Sequence, residues 1–224
     1  MKNVLITGFE PFGGEALNPS ALVAEALDGR MVVGRRVVGA VLPCVFGKSL
    51  AVLEQEIRRL NPELVICVGQ AGGRGEINLE RVALNIEDAS IPDNDGNQPV
   101  DRPVVHGGPA AYWSTLPIKA IVAALRNAGL PTVASQSAGT FVCNHVFYGL
   151  MRALARKRTV RGGFIHVPFL PEQARRAATG SPSLPLDEIV RGLQIAIETS
   201  LIPRHLAVHY QIKGDQPEEA VQNQ

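Results

Sequence analysis

The sequence predicts an α/β protein, a single-domain α/β/α sandwich around a twisted, mostly parallel sheet. Short apolar runs rich in β-branched residues alternate with amphipathic helical segments along the chain, which is typical of repeated strand–helix units. The run LVICVG at 64–69 is continuously apolar, as expected of a central strand covered on both faces. With 46% hydrophobic residues, a chain of 224 residues can bury a large core without disulfide or metal support.

The first half of the chain predicts two strand–helix units followed by the central strand. A β-rich run at 4–7 stops at the turn GFEPFGG, and a proline-containing turn then starts a short helix at 21–27. The valine-rich residues 31–42 predict one long strand or two. Residues 48–60 place leucine and isoleucine side chains on one helical face, and the following Asn-Pro ends this helix before the strand at 64–69.

The second half combines regular elements with two irregular stretches. In residues 77–86, INLERVALNI, the two-residue period slips by one step near Glu80-Arg81, which indicates a β-bulge or a bend. Residues 90–116 form a long loop rich in Pro, Gly, Asp and Asn, and such loops are usually functional or part of an interface. The other predicted elements are helices at 118–127, 144–155 and 186–201 and strands at 132–135 and 163–167.

Charge and targeting signals exclude several classes of partner. The net charge of +1 provides no long-range field to attract nucleic acid or an anionic membrane. The N-terminal stretch lacks the pattern of a signal peptide, and no apolar run approaches the length of a membrane helix. Three cysteines at unrelated spacings make no disulfide framework. We therefore expect a cytoplasmic protein with one domain over 1–212 and a frayed polar tail over 213–224.

Glycine loops and histidine pairs raise two alternatives, a nucleotide site and a metal site. GFEPFGGE lacks the Lys and Ser/Thr of a phosphate loop, and GQAGGRG does not match a dinucleotide loop. His205 and His209 have helical ligand spacing but lack the glutamate of a zinc peptidase motif. Cys143 and His145 are too close in sequence to share a metal easily from one regular helix. We predict neither a cofactor nor a metal.

The three cysteines differ in their surroundings. Cys67 lies inside the apolar strand and Cys44 follows a strand exit, so both are predicted to be packing residues. Cys143, in SAGTFVCNHVFY, lies where a turn gives way to an amphipathic helix, so its sulfur is expected near free backbone N–H groups. Such dipoles can lower the pKa of a thiol and can hold a developing oxyanion. Cys143 is therefore the candidate nucleophile.

A thiol nucleophile needs a base, and the base needs a group that orients it. His166 lies at the end of a predicted buried strand, in GGFIHVP, where sites form in open α/β sheets, so it is the predicted base. His145 should point away from Cys143 around the helix and is predicted to be structural. Glu80 lies at the slipped alternation, where a bulge can aim a side chain into a site. The alternative for Glu80 is a surface pair with Arg81.

Eight segments taken together resemble one known family. They are, in order, GFEPFGG, NPS, VICVGQAGGR, ERVALN, IPDNDGNQP, GGPAAYW, SAGTFVCNHVFYG and GGFIHVPFLPEQ. This set resembles the type I pyroglutamyl peptidases, also called pyrrolidone-carboxylate peptidases, over about residues 4–200. The resemblance implies a cytosolic α/β/α peptidase, often a homotetramer, that removes N-terminal pyroglutamate from peptides without a metal. It also implies a triad in which Cys143 is the nucleophile, His166 the base and Glu80 the acidic member.

Pyroglutamate is an uncharged lactam and suits a flat apolar slot with a few polar groups. The residues predicted to form this slot lie in the first glycine loop and just before the nucleophile: Phe9, Phe12, Phe141 and Val142. The resemblance adds Gln70 near the lactam and Ile91 on the loop that covers it.

One departure from the family and two alternative functions stay open. The family typically has an arginine where this chain has Ser90, so we expect altered turnover or substrate preference rather than lost activity. A non-catalytic or nucleoside-type binding module on the same α/β layers is the main alternative function. A thiol hydrolase that acts on another amide is the second.

Overall fold

The computed structural model describes residues 2–157, 159–177 and 180–202. The strands are β1 (Asn3–Phe9), β2 (Met31–Val32), β3 (Arg35–Leu42), β4 (Leu64–Gln70), β5 (Ile77–Glu80), β6 (Val82–Leu84), β7 (Ala111–Trp113), β8 (Thr132–Ser135) and β9 (Arg161–Val167). The helices are α1 (Pro19–Leu27), α2 (Lys48–Leu60), α3 (Ile118–Asn127), α4 (Val142–Leu154), α5 (Pro171–Ala174) and α6 (Leu186–Leu201).

One large sheet lies between two layers of helices. Its seven strands run in the order β2-β3-β1-β4-β9-β5-β8. The pairs β3–β1, β1–β4, β4–β9 and β5–β8 are parallel, whereas β2–β3 and β5–β9 are antiparallel. Alternate side chains of the central strands enter two apolar cores, one under α1, α3 and α6 and the other under α2 and α4. The predicted α/β fold around a mostly parallel sheet is confirmed.

The segment 77–86 is divided between two sheets. β5 pairs with β8 and β9 in the large sheet, whereas β6 pairs with β7 in a separate two-stranded sheet. The side-chain alternation slips because the chain leaves one sheet and enters the other at Arg81. The irregularity is therefore a bend between two strands, and the alternative of a bulge within one strand is wrong.

Several boundaries follow local signals. The side chain of Asn18 accepts a hydrogen bond from the backbone N–H of Ser20 and caps α1, whose start is as expected. Residues 31–42 form two strands because the backbone turns at Val33 and Gly34, both with positive φ. Two elements were not predicted, β7 inside the loop 90–116 and the four-residue helix α5. Both elements are too short for a periodic pattern.

Two expectations concern parts of the chain at its periphery. No helix within the described ranges is long and apolar enough to cross a membrane. The tail 213–224 and the proposed domain boundary at residue 212 lie outside the described residues.

Candidate active site

Two strands of the large sheet bring His166 and Glu80 together. His166 lies near the end of β9, and Glu80 ends the antiparallel neighbour β5, where it pairs with Phe164. Phe164 and His166 point to the same face, so the Glu80 side chain lies diagonally opposite the imidazole. Nδ1 of His166 lies 2.8 Å from Oε1 of Glu80. Since Glu80 is fully buried and His166 is 4% exposed, the carboxylate can hold one orientation and one tautomer of the ring.

Cys143 is the second residue of α4. The N-cap residue, Phe141, supplies no side-chain hydrogen bond to the helix, which leaves the first backbone N–H groups without that partner. The buried side chain of Asn144 accepts from the N–H of Leu84 at 3.0 Å and donates to the carbonyl oxygens of Leu84 and Ile86 at 2.9 Å. The residue after the thiol therefore fixes the start of α4 against the β6 segment.

The sulfur of Cys143 lies over β4, beside the histidine–glutamate pair. A Cβ atom placed on Gly69 would lie only 2.9 Å from Sγ, so a side chain there would displace the sulfur. Gly69 pairs in register with His166, and neighbouring strands are about 4.8 Å apart. The thiol thus occupies the place of a Gly69 side chain, next to the imidazole. Across the described ranges no hydrogen bond joins Sγ to the ring, and catalytic hydrogen bonds are often loose without substrate.

The environment of the thiol favours its neutral form. Burial raises the pKa of the Cys143 thiol. The neighbouring groups Cys44, Glu80 and Cys67 raise this pKa further, and Arg74 lowers it. The expectation of a lowered pKa at the helix start is therefore wrong for the resting site, because burial is the largest influence on the pKa of this thiol. A thiol in such an environment needs a base to take its proton, and the imidazole of His166 lies beside the sulfur.

His145 belongs to a second cluster. Its Nδ1 lies 2.6 Å from Oε1 of Glu87, and its Nε2 accepts a hydrogen bond from the backbone N–H of Gly47 at 3.0 Å. Oε2 of Glu87 accepts from Nη2 of Arg102 at 2.8 Å. Both ring nitrogens of the buried His145 are thus bonded within the chain, which agrees with the structural role expected of this residue.

The other two cysteines are packing residues, as expected. Cys67 is fully buried and Cys44 is 2% exposed. Burial raises the pKa of each thiol to about 12, so neither forms a thiolate near neutral pH. Cys143 is the half-buried cysteine.

The whole described fold, with its thiol, imidazole and carboxylate, lies within one family match. Residues 2–202 match the protein-family model of the pyroglutamyl peptidases. The chain belongs to the pyroglutamyl peptidase family. It is 60% identical over 201 residues to a pyrrolidone-carboxylate peptidase of Escherichia fergusonii, which covers 90% of this chain and 94% of that protein.

Solved structures of pyroglutamyl peptidases share the fold. The pyroglutamyl peptidase I of Bacillus amyloliquefaciens superposes with a TM-score of 0.87 at 51% identity, over 90% of this chain and 96% of that chain. A pyrrolidone carboxyl peptidase of Pyrococcus furiosus gives a TM-score of 0.86 at 45% identity, over 90% and 98%. The chain is therefore an enzyme, a cysteine exopeptidase among the hydrolases. The alternative of a non-catalytic binding module is set aside.

Three residues expected to form the slot of this peptidase lie close together. The rings of Phe12 and Phe141 are 5.8 Å apart between centroids. Cδ1 of Ile91 lies 3.6 Å from the place of a Cβ on Gly13, so Ile91 reaches over the first glycine loop. Phe46, which the sequence analysis missed, packs edge-on against Phe141 at 5.5 Å. Phe46 lies in a turn without periodicity, and its aromatic character was the only available signal.

The other residues expected in the slot are placed differently. Phe9 ends β1, is 1% exposed and packs on Phe164, so the expectation that it lies in an exposed turn is wrong. The side chain of Val142 is fully buried. Gln70 follows the glycine under the thiol, so its side chain points to the opposite face of β4, where Oε1 accepts a hydrogen bond from Gln173 at 2.9 Å. Gln70 thus presents its backbone rather than its side chain on the thiol face.

Two places in the sequence combine residue types that can bind metals, Cys143 with His145 and His205 with His209. Within the part of the chain that the structure describes, no group of three or more His, Cys, Asp or Glu side chains could hold a metal ion. Cys143 and His145 are divided between two clusters, since His145 bonds Glu87. His205 and His209 lie outside the described residues.

Proposed function

We propose that this chain hydrolyses the bond after an N-terminal pyroglutamyl residue of peptides, with Cys143 as nucleophile, His166 as general base and Glu80 as its orienting acid. The observation that carries this proposal is the buried hydrogen bond between His166 and Glu80, next to the Cys143 sulfur. The family and the pyrrolidone-carboxylate peptidases that the chain resembles support the substrate class.

The aromatic group formed by Phe12, Phe141 and Phe46 suits the lactam ring. Pyroglutamate has no charged amine, so its recognition needs apolar walls and few polar groups. In our proposal Phe12, Phe141 and Ile91 contact the ring, and Phe46 supports Phe141 from behind. Ile91 is 39% exposed, so substrate can cover it and gain the free energy of burying its side chain.

Acylation begins with rotation of the Cys143 side chain towards the imidazole. Because Nδ1–H of His166 donates to Glu80, Nε2 carries a lone pair and accepts the thiol proton. The thiolate attacks the pyroglutamyl carbonyl carbon, a C–S bond forms, and the carbonyl electrons move to oxygen. Backbone N–H groups in the first turn of α4 stabilise this oxyanion, and one such donor contributes about 3–4 kcal/mol in comparable sites.

Collapse of this intermediate and hydrolysis complete the cycle. The imidazolium gives its proton to the leaving amine as the C–N bond breaks, and a thioester on Cys143 remains. His166 then takes a proton from water, and the hydroxide attacks the thioester carbonyl. The C–S bond breaks, pyroglutamate leaves, and the thiolate recovers the proton from His166. Protons and electrons balance with these side chains and one water molecule.

Assembly and location remain predictions. The family resemblance predicts a homotetramer, and the sequence features predict a cytoplasmic protein with one domain over 1–212. Light scattering coupled to size-exclusion chromatography would measure the assembly. A mass near that of one 24.0 kDa chain would contradict the tetramer.

Release of a chromophore from pyroglutamyl-anilide tests the proposed function. We expect release from the pyroglutamyl substrate and little from glutamyl or prolyl anilides, because their amines are charged and the slot is apolar. Cys143→Ala should abolish release. Cys44→Ala removes the same atom from a packing cysteine and should retain it. Iodoacetamide should inactivate the enzyme and EDTA should leave it active.

The alternative outcomes separate the remaining hypotheses. Equal release from the prolyl substrate would favour a thiol hydrolase of broader specificity. Full activity of Cys143→Ala would overturn the mechanism whatever the substrate. Inactivation by EDTA would contradict the prediction that no metal is needed.

A further inference from the structure

The second glycine loop has a role that nucleotide binding does not explain. After β4 the chain makes a turn in which the N–H of Arg74 bonds the carbonyl of Ala71, with Gly73 at φ +82°. That φ is the one a type II turn requires at this position, so glycine is favoured there. The turn folds the chain back and brings the Arg74 side chain to the buried Glu80.

Arg74 and the imidazole share one oxygen of Glu80. Nη1 of Arg74 donates to Oε1 of Glu80 at 3.0 Å, the same oxygen that lies 2.8 Å from Nδ1 of His166. Oε2 of this fully buried carboxylate has no hydrogen-bond partner in the described ranges. Two donors at one oxygen therefore compensate the buried charge, and Arg74 is the one that always carries a positive charge.

Arg74 also acts on the thiol. Besides His166, the charged and titratable groups around Cys143 are Cys44, Glu80, Cys67 and Arg74. Burial and the carboxylate of Glu80 favour the neutral thiol, whereas Arg74 favours the thiolate. The Arg74 side chain is 37% exposed, so solvent weakens this influence without removing it.

We propose that Arg74 is a positioning residue of the active site: its guanidinium holds the buried carboxylate of Glu80 aimed at His166, and its positive charge acts on both this carboxylate and the Cys143 sulfur. The consequence for turnover rests on the proposed function. The consequence for the thiol does not, because it depends only on the charges around the sulfur.

The test compares Arg74→Gln with two controls. Arg74→Lys keeps the positive charge, and Arg102→Gln removes an arginine from the equivalent pair with Glu87. For each variant, kcat/KM for pyroglutamyl-anilide is measured against pH. In parallel, the rate of Cys143 alkylation by iodoacetamide is followed by mass spectrometry of its peptide. Circular dichroism confirms that each variant is folded.

Loss of a positive charge raises the pKa of each titratable group near it. Both limbs of the kcat/KM profile of Arg74→Gln should therefore move to higher pH by about 0.5–1 unit, together with the alkylation curve. Arg74→Lys should stay within about 0.2 unit of the parent, and Arg102→Gln should not shift. A structural role alone would lower the rate without moving the profile.

Each contrary result has a distinct meaning. An unshifted Arg74→Gln profile, or an equal shift in Arg74→Lys or Arg102→Gln, would overturn the proposal for Arg74. If the parent protein releases no pyroglutamate while the alkylation curve still shifts, the proposed function fails and the role of Arg74 at the thiol stands.

Discussion

The chain builds the same kind of histidine–glutamate–arginine cluster twice. We call the first, made of His166, Glu80 and Arg74, the triad cluster. We call the second, made of His145, Glu87 and Arg102, the anchor cluster. In the triad cluster the carboxylate lies 2.8 Å from Nδ1 of the histidine and 3.0 Å from the guanidinium of the arginine. In the anchor cluster the same two distances are 2.6 and 2.8 Å. Both histidines and both glutamates are at most 5% exposed. By these measures alone the two clusters cannot be told apart.

The second nitrogen of each imidazole distinguishes the clusters. Nε2 of His145 accepts the backbone N–H of Gly47 and holds the turn that starts α2. Nε2 of His166 has no hydrogen bond within the described ranges, and the ring lies on the strand beside the Cys143 sulfur. A histidine–glutamate pair is therefore weak evidence for catalysis by itself. The evidence lies in an unoccupied nitrogen beside a possible nucleophile.

Replacing the histidine by alanine should mainly lower activity in the triad cluster and mainly lower stability in the anchor cluster. His166→Ala removes the proposed base, so kcat/KM should fall by about 10³–10⁴-fold, and the loss of one bond to Glu80 should cost less stability than the loss of two bonds in His145→Ala. His145→Ala leaves Glu87 and the Gly47 amide without a partner. It should therefore cost about 2–4 kcal/mol of stability and retain most activity per folded molecule. Urea unfolding and anilide release measure the two quantities. Loss of activity in folded His145→Ala equal to that in His166→Ala would mean that the base is misassigned.

Replacing each glutamate by glutamine should show the same contrast between activity and stability, with smaller effects. Glu80→Gln keeps the shape, but its amide can donate to Nδ1 and leave the proton on Nε2, so kcat should fall by about 10²–10³-fold with the fold intact. Glu87→Gln should mainly lower stability, because an amide pairs less well with Arg102. Steady-state kinetics and thermal unfolding provide the comparison. An activity of Glu80→Gln equal to that of Glu87→Gln would remove Glu80 from the mechanism.

The sequence predicted the elements that carry their own burial pattern. The α2 region has leucine and isoleucine at helical spacing and β4 is continuously apolar, and both were located to within one residue. β6 and β7 pair across about 30 residues of chain, and three-residue strands have no visible period. For the same reason Phe9 was placed in a turn, whereas the sheet pairing extends β1 to that residue.

The reactive residues could be predicted from the sequence, and the residues that support them could not. Cys143, His166 and Glu80 were selected by chemistry, by strand ends and by family motifs. Asn144 and Arg74 were missed because their roles depend on contacts 60 and 6 residues away. The direction of the thiol pKa was also wrong, because a helix start is visible in sequence and the exclusion of solvent around it is not.

Asn144 offers a way to disturb the position of Cys143 without changing a member of the triad cluster. Its amide fixes the first turn of α4, so Asn144→Ala should lower kcat about tenfold, leave KM almost unchanged and cost about 2–4 kcal/mol. Asn85 makes similar side-chain bonds to Val105 and Gly108. Asn85→Ala is therefore the control and should cost stability without a comparable loss of kcat. Equal losses of kcat would mean that both asparagines act through general stability.

The anchor cluster should contribute to the acid sensitivity of the fold. Burial raises the pKa of Glu87, but the bonds from His145 and Arg102 outweigh burial and the pKa is lowered overall. A carboxyl with a lowered pKa in the folded state stabilises it above the unfolded value of about 4.5, and this contribution is lost as the pH falls through the folded pKa. Glu87→Gln should therefore reduce the stability loss between about pH 5 and pH 3 by on the order of 1 kcal/mol. Parallel urea titrations at these pH values measure it, and an unchanged difference would contradict this role.

Ser90 should give the smallest effect, opposite in sign to that of Arg74→Gln. It is exposed and lies between Asp88, whose N–H bonds the carbonyl of Thr140, and Ile91. Ser90→Arg adds a cation on the same side of the molecule as Thr140, in the turn that precedes Cys143. The acid limb of the kcat/KM profile should move to lower pH by less than about 0.5 unit, because solvent screens an exposed charge. Ser90→Gln, long but uncharged, is the control, and kinetics of Ser90→Arg identical to the parent would contradict an electrostatic role for this position. If the two cations act on the same thiolate, Ser90→Arg should also reverse part of the shift caused by Arg74→Gln, because each favours the ionised sulfur whichever loop carries it.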